Sequence, residues 1–120
     1  MGFHVTPESL FEILTLLPQV ERKSSTTNLA AAASVTLDFS TDFSPMFDVD
    51  VFMDQAGTLL TQYQDAGGTW RTFRTDTITA NTATFYTAQR VPGVQVRIRL
   101  TNDGAVATTA LNLQAISRSI

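Results

Sequence analysis

Few side chains in this chain could do chemistry. His4 is the single histidine and there is no cysteine, so the residues for a zinc site or a thiol nucleophile are missing. His4 precedes the first apolar stripe and reads as a solvent-exposed tail residue rather than a general base. No nucleophile-elbow motif presents a serine to it. Gly67-Gly68 falls in a hairpin turn and not ahead of a helix, so it is no phosphate loop. Asp48, Asp50 and Asp54, with Asp42, could offer hard oxygen ligands to calcium. Their spacing matches no calcium loop. Asp48 and Asp50 stand two apart, on one face of one strand, whereas a glycosidase pair needs an opposing acid across a cleft. The expected place of the acids is a solvated face opposite Val49, Val51 and Met53. The expectation is therefore a protein that is no enzyme and carries no metal or cofactor.

Binding residues are easier to find. Arg97 and Arg99 share the outward face of a strand, where paired guanidinium groups suit phosphate, an acidic sugar or the carboxylates of a partner. Asp across the sheet would satisfy them equally well. Most of the aromatic residues are expected in the core, since each large ring buries roughly 150–250 Å². Trp70 follows a turn and fits either place. If a sugar platform exists, Trp70 or Tyr86 are its first candidates. Phe43 and Phe47 flank Pro45 in a loop and are read as a contact surface.

The elements that must position these groups announce themselves by period. Val94 to Thr101 alternates apolar and polar residues almost without a break, and the same period of two runs through Val35-Leu37-Phe39, Val49-Val51-Met53 and Leu111-Leu113-Ala115. Strands are expected near Ala33–Ser40, Asp48–Asp54, Thr58–Gln64, Thr69–Thr77, Ala83–Ala88, Val94–Asn102 and Thr108–Ser117. Turn residues separate them at Ser44-Pro45, Gln55-Ala56-Gly57, Asp65-Ala66-Gly67-Gly68, Thr79–Asn81, Val91-Pro92-Gly93 and Asn102-Asp103-Gly104. The last of these reads as a hairpin. Seven or eight short strands predict an all-β, antiparallel β-sandwich or small barrel over 29–120.

Residues 1–28 read differently. All three Glu and the one Lys lie there. Thr6 is a good N-cap and Pro7 suits the first helical position. Leu10, Ile13, Leu14 and Leu17 then form one apolar stripe at helical spacing, ended by Pro18. So short a helix is marginal alone and needs a surface to dock on, which makes these four residues the expected partner-binding arm. Arg22 to Asn28 looks like a flexible connector.

Composition and charge bound the partners. No run of apolar residues is long enough to span a bilayer, and the N-terminus does not have the layout of a secretory signal. The net charge of −3 disfavours nucleic acid. Residues 29–65 hold six Asp and no Lys or Arg, while 66–120 hold six Arg against Asp76 and Asp103. Either strands of the two halves pair and Asp meets Arg across them, or acidic and basic surfaces fit head to tail between subunits.

The run Gly57-Thr58-Leu59-Leu60 through Asp65-Ala66-Gly67-Gly68-Thr69-Trp70 resembles the GTL, strand, DG turn and W found in many small tailed-bacteriophage virion proteins. Val94-Gln95-Val96-Arg97-Ile98-Arg99-Leu100-Thr101-Asn102-Asp103-Gly104-Ala105, followed by Thr108-Thr109-Ala110-Leu111-Asn112-Leu113-Gln114, resembles the ending of the same group. Here Ala66 separates Asp65 from Gly67, which lengthens the turn. The resemblance implies a jelly-roll sandwich, with no shared catalytic residues, serving as a capsid decoration or cement protein or as a tail or fibre module. It implies a major capsid protein or other virion protein as partner, a homo-oligomer (trimer before dimer), and residence in the virion after assembly in host cytoplasm.

Overall fold

A computed structural model of the protein describes residues 20–40, 46–92 and 95–118. They form eight strands: β1 (Val20–Ser25), β2 (Ser34–Ser40), β3 (Met46–Met53), β4 (Gly57–Gln64), β5 (Trp70–Ile78), β6 (Thr84–Arg90), β7 (Gln95–Asn102) and β8 (Leu111–Arg118). Two four-stranded antiparallel sheets result, in the orders β1-β8-β3-β6 and β2-β7-β4-β5. Among these strands only β4 and β5 are sequential neighbours in one sheet; every other connection crosses to the opposite sheet. The described residues contain no helix. The expected helix with Leu10, Ile13, Leu14 and Leu17 lies outside the described residues, as does Phe43.

Alternation decides which residues go inside. Leu37 and Phe39, Phe47, Val49, Val51 and Met53, Leu59, Val96, Ile98 and Leu100, and Leu111, Leu113 and Ala115 all point between the sheets and are buried. Phe39 and Phe47 meet edge to face across the layers, ring centroids 5.1 Å apart, a favoured aromatic geometry. Phe47 is fully buried. The contact surface expected at this residue is therefore core: strand β3 begins at Met46, and the period of two turns Phe47 inward with Val49 and Val51.

The first four residues of the segment read as a connector, Arg22 to Ser25, belong to strand β1. Its backbone pairs with β8 from Val20↔Arg118 to Ser25↔Leu113, so the sandwich takes in residues that composition assigns to the arm. A polar edge strand gives no apolar signal, because its ladder of backbone bonds holds it. Lys23 also folds inward: its ammonium lies 5.5 Å from the centroid of Phe39 and donates to the Asp38 carbonyl on the opposite sheet.

Asn102-Asp103-Gly104 is not a hairpin. Strand β7 ends at Asn102 and the chain crosses to the other sheet before β8. The Asn102 side chain is fully buried. Its Nδ2 donates to the carbonyls of Leu29, Ala30 and Val106, and its Oδ1 accepts from Gly104 N–H at 2.9 Å. One amide thus pins the chain ahead of β2 to the crossing after β7. By contrast Asp65 does build the β4–β5 hairpin. Its carboxylate accepts from the N–H groups of Gly67 and Thr69 and from Arg71 Nε at 2.7 Å, and these bonds, Thr69 first, hold its pKa below the usual carboxylate value.

Candidate functional site

Two outer sheet faces and one flank carry the polar side chains. On the β1-β8-β3-β6 sheet the pairings Asp50↔Phe85, Asp50↔Gln114 and Ser24↔Gln114 place Phe85, Asp50, Gln114 and Ser24 in one transverse row. Their chain neighbours Val49, Val51, Leu113 and Ala115 are buried, so the row faces outward. Phe85 is 71% exposed. The next row holds Asp48, Ile116 and Arg22. Register with β6 slips between Phe47 and Val49, a bulge of the kind that re-aims side chains. A groove of about 370 Å³ opens here, lined by Asp48, Asp50, Phe85, Thr87, Gln114 and Ile116 with Val49 and Tyr86 at its floor. Arg118 Nη2 reaches Asp48 Oδ1 at 3.4 Å, an ion pair across neighbouring strands.

On the β2-β7-β4-β5 sheet the rows Asp38, Arg97, Gln62, Thr72 and Thr36, Arg99, Leu60, Thr75 face outward. Arg97 is half-buried and engaged: its guanidinium carbon sits 4.2 Å from the Trp70 ring centroid and its Nε donates to Gln62 Oε1 at 2.6 Å. Asp38 stands opposite it in register, yet the guanidinium turns to the ring. Arg99 is exposed. Sheet register thus brings Arg97 and Arg99 onto one face, on the opposite side of the sandwich from the groove.

The flank between β5 and β6 is closed by polar residues. Tyr86 is 6% exposed and shares a 2.6 Å hydrogen bond with Thr61 Oγ1. Arg74 is fixed by Asp76 at 2.8 Å and donates to Gln89 Oε1 at 3.1 Å. Tyr86 is therefore a core residue and no sugar platform. Trp70 has one ring face covered by Arg97 and is half-buried. The most exposed aromatic among the described residues is Phe85, 71% against 37% for Phe73, and both fall among the rings expected in the core. The signal for Phe85 lies in register alone: it sits on the polar side of a strand whose other side carries Tyr86.

Among the described residues no three His, Cys, Asp or Glu side chains gather to hold a metal ion. Asp54, expected beside Asp48 and Asp50, instead caps the β8 approach. It accepts from Thr109 Oγ1 at 2.6 Å and from the N–H groups of Thr109 and Ala110, and the Thr109 hydroxyl bond is the first cause holding its pKa down. The groove can grip: an aromatic face, carboxylates, a hydroxyl and an amide converge on it.

No protein-family model and no curated protein matches the chain. Solved structures do share the fold. The chain is similar to the PBSX exported protein XepA, with TM-score 0.68 and 15% identity over 88% of this chain and 38% of that one; it spans well under half of XepA. It is also similar to the Yersinia pseudotuberculosis-derived mitogen, with TM-score 0.50 and 10% identity over 87% of each chain. At such identities the likeness is one of fold.

Proposed function

We propose that the protein is a structural component of a phage-related particle, a jelly-roll sandwich that decorates or cements a capsid through protein contacts. The observation that carries this reading is Phe85. An aromatic ring 71% exposed in a groove with a polar rim has the layout of an interface anchor. Three features support it. The order β1-β8-β3-β6 over β2-β7-β4-β5 is that of an eight-stranded jelly roll. The fold is shared with the PBSX exported protein XepA. The runs 57–70 and 94–114 resemble virion proteins. The partner would be a major capsid protein or another virion protein, the working form a homo-oligomer with trimer before dimer, and the location the virion after assembly in host cytoplasm. In this reading the protein performs no catalysis and contacts neither nucleic acid nor membrane.

The test is co-sedimentation of the purified chain with empty capsids. Phe85→Ala should weaken binding with the sandwich still folded, and so should Leu14→Asp in the arm. Deletion should stop at residue 19, because β1 begins at Val20. Wild-type protein left in the supernatant would overturn the reading.

A second reading is a tail or fibre module that binds surface carbohydrate. The row Phe85, Asp50 and Gln114 favours it: a ring to stack on a sugar, flanked by a carboxylate and an amide for its hydroxyls. A glycan array decides between the two. Saturable binding that disappears in Phe85→Ala supports the carbohydrate reading; silence supports cement.

A further inference from the structure

We propose that the groove at Phe85 and Asp50 receives Arg99 of a second copy, so that copies stack head to tail. This inference rests on the adhesion reading above and names the occupant of the same groove. The two rows match by type. Asp50 is exposed and Arg99 is exposed. Neither has an ion-pair partner among the described residues. Two other arginines on these faces are engaged: Arg97 is spent on Trp70 and Gln62, and Arg118 is paired with Asp48.

Burial fixes their opposition. Val49 and Val51 point into the core and so do Ile98 and Leu100, which turns Asp50 outward on one sheet and Arg99 outward on the other. A translation along the sheet normal therefore brings the Arg99 face of one copy onto the Asp50 face of the next. In the groove row, Phe85, Asp50, Gln114 and Ser24, there is no cation; in the facing row, Thr36, Arg99, Leu60 and Thr75, there is no anion. Arg22 shares the groove face but sits one row away, opposite Ile116. An incoming guanidinium finds the Phe85 ring to stack on and the Asp50 carboxylate to bond, the same pairing of aromatic and hydrogen-bond acceptor that already holds Arg97 within the chain. Leu60, beside Arg99 in register, would close over the ring. Because the two surfaces differ, the contact is heterologous: a rotation between copies closes it into a ring such as a trimer, and a pure translation lets it propagate.

The experiment is light scattering across a concentration series at low and high salt, with unfolding curves as a folding control. Wild-type mass should grow with concentration at low salt and fall back at high salt. Asp50→Arg and Arg99→Asp should each weaken association by about tenfold. Mixing the two variants should restore it, since each supplies the charge the other has lost. Wild type that stays monomeric, or a mixture that fails to recover, overturns the inference. If Asp50→Arg loses capsid binding while wild type alone is monomeric, the groove takes a virion partner: the proposed function stands and self-docking falls. Self-association with rescue but no capsid binding does the opposite: self-docking stands and the proposed function falls.

Discussion

The guanidinium of Arg74 lies over the ring of Tyr86, its carbon 4.2 Å from the ring centroid, although the two residues belong to opposite sheets. Strands β5 and β6 end their respective sheets, so this contact seals the sandwich along one flank. Polar residues do so because each is satisfied: Tyr86 by Thr61, Arg74 by Asp76 and Gln89. A partly satisfied cluster here would cost more than an apolar one.

That arrangement predicts alkaline sensitivity. Burial pushes Tyr86 up to about 12, against the opposing pull of the Thr61 hydroxyl and the Arg74 charge. A pKa raised in the folded state stabilises the fold fully below the unfolded value near 10, and that contribution is lost as pH rises through 12. The loss should amount to roughly 2–3 kcal/mol. Urea unfolding midpoints measured from pH 9 to 12 check it. Tyr86→Phe should remove the part of the slope owed to this residue while costing about 1–2 kcal/mol at neutral pH, because Thr61 loses its partner.

Asn102 is predicted to be the costliest polar residue to replace. Its amide donates to three backbone carbonyls and accepts from Gly104. Asn102→Leu keeps the shape and strands those groups, which should destabilise the fold by about 3 kcal/mol. Thermal unfolding measures this. A change under half that value would mean water replaces the amide.

How far the sequence reveals these things depends on the range of the interaction. Strands β2, β3, β4, β7 and β8 are legible because one face of each is buried, and burial imposes the period of two; β5 and β6 are legible from their β-branched and aromatic residues and the turns that bound them. Asp48 and Asp50 take the outward face opposite Val49, Val51 and Met53 for the same reason, as their spacing implies. Strand β1 is not legible, since an edge strand such as Val-Glu-Arg-Lys-Ser-Ser is held by backbone pairing to β8, at the other end of the sandwich sequence. Asn102-Asp103-Gly104 misleads because its turn chemistry is real, while the choice of hairpin or sheet crossing is made by Leu29 and Ala30, distant in sequence. The exposure of Phe85 and the burial of Tyr86 follow from β6 register, which no local pattern discloses. Phe47 looks like loop only because Pro45 precedes it.

Gly57 opens β4 at a point of close approach. A Cβ there would meet Met53 Cε and, at 2.5 Å, the backbone oxygen of Thr101. The methionine end can move but the β7 backbone cannot without disturbing the ladder. Gly57→Ala should therefore destabilise by about 1–3 kcal/mol, as overpacking does, and Met53→Ala in the same chain should not rescue it. Full recovery in the double variant would show that the side chain alone was in the way.

Phe47 and Phe85 separate stability from adhesion. Phe47 is fully buried against Phe39, and Phe47→Ala should cost about 3–5 kcal/mol of stability by leaving a cavity between the sheets. Phe85 is 71% exposed, and Phe85→Ala should change stability by less than about 0.5 kcal/mol. The functional expectation runs the other way. A protein that adheres through its groove loses binding in Phe85→Ala at unchanged melting temperature, whereas Phe47→Ala affects binding only as far as it unfolds the chain. Paired melting and co-sedimentation curves on the two variants check this. If Phe85→Ala binds like wild type, the groove is not the adhesive surface, and the Arg97 and Arg99 face is the next to be probed.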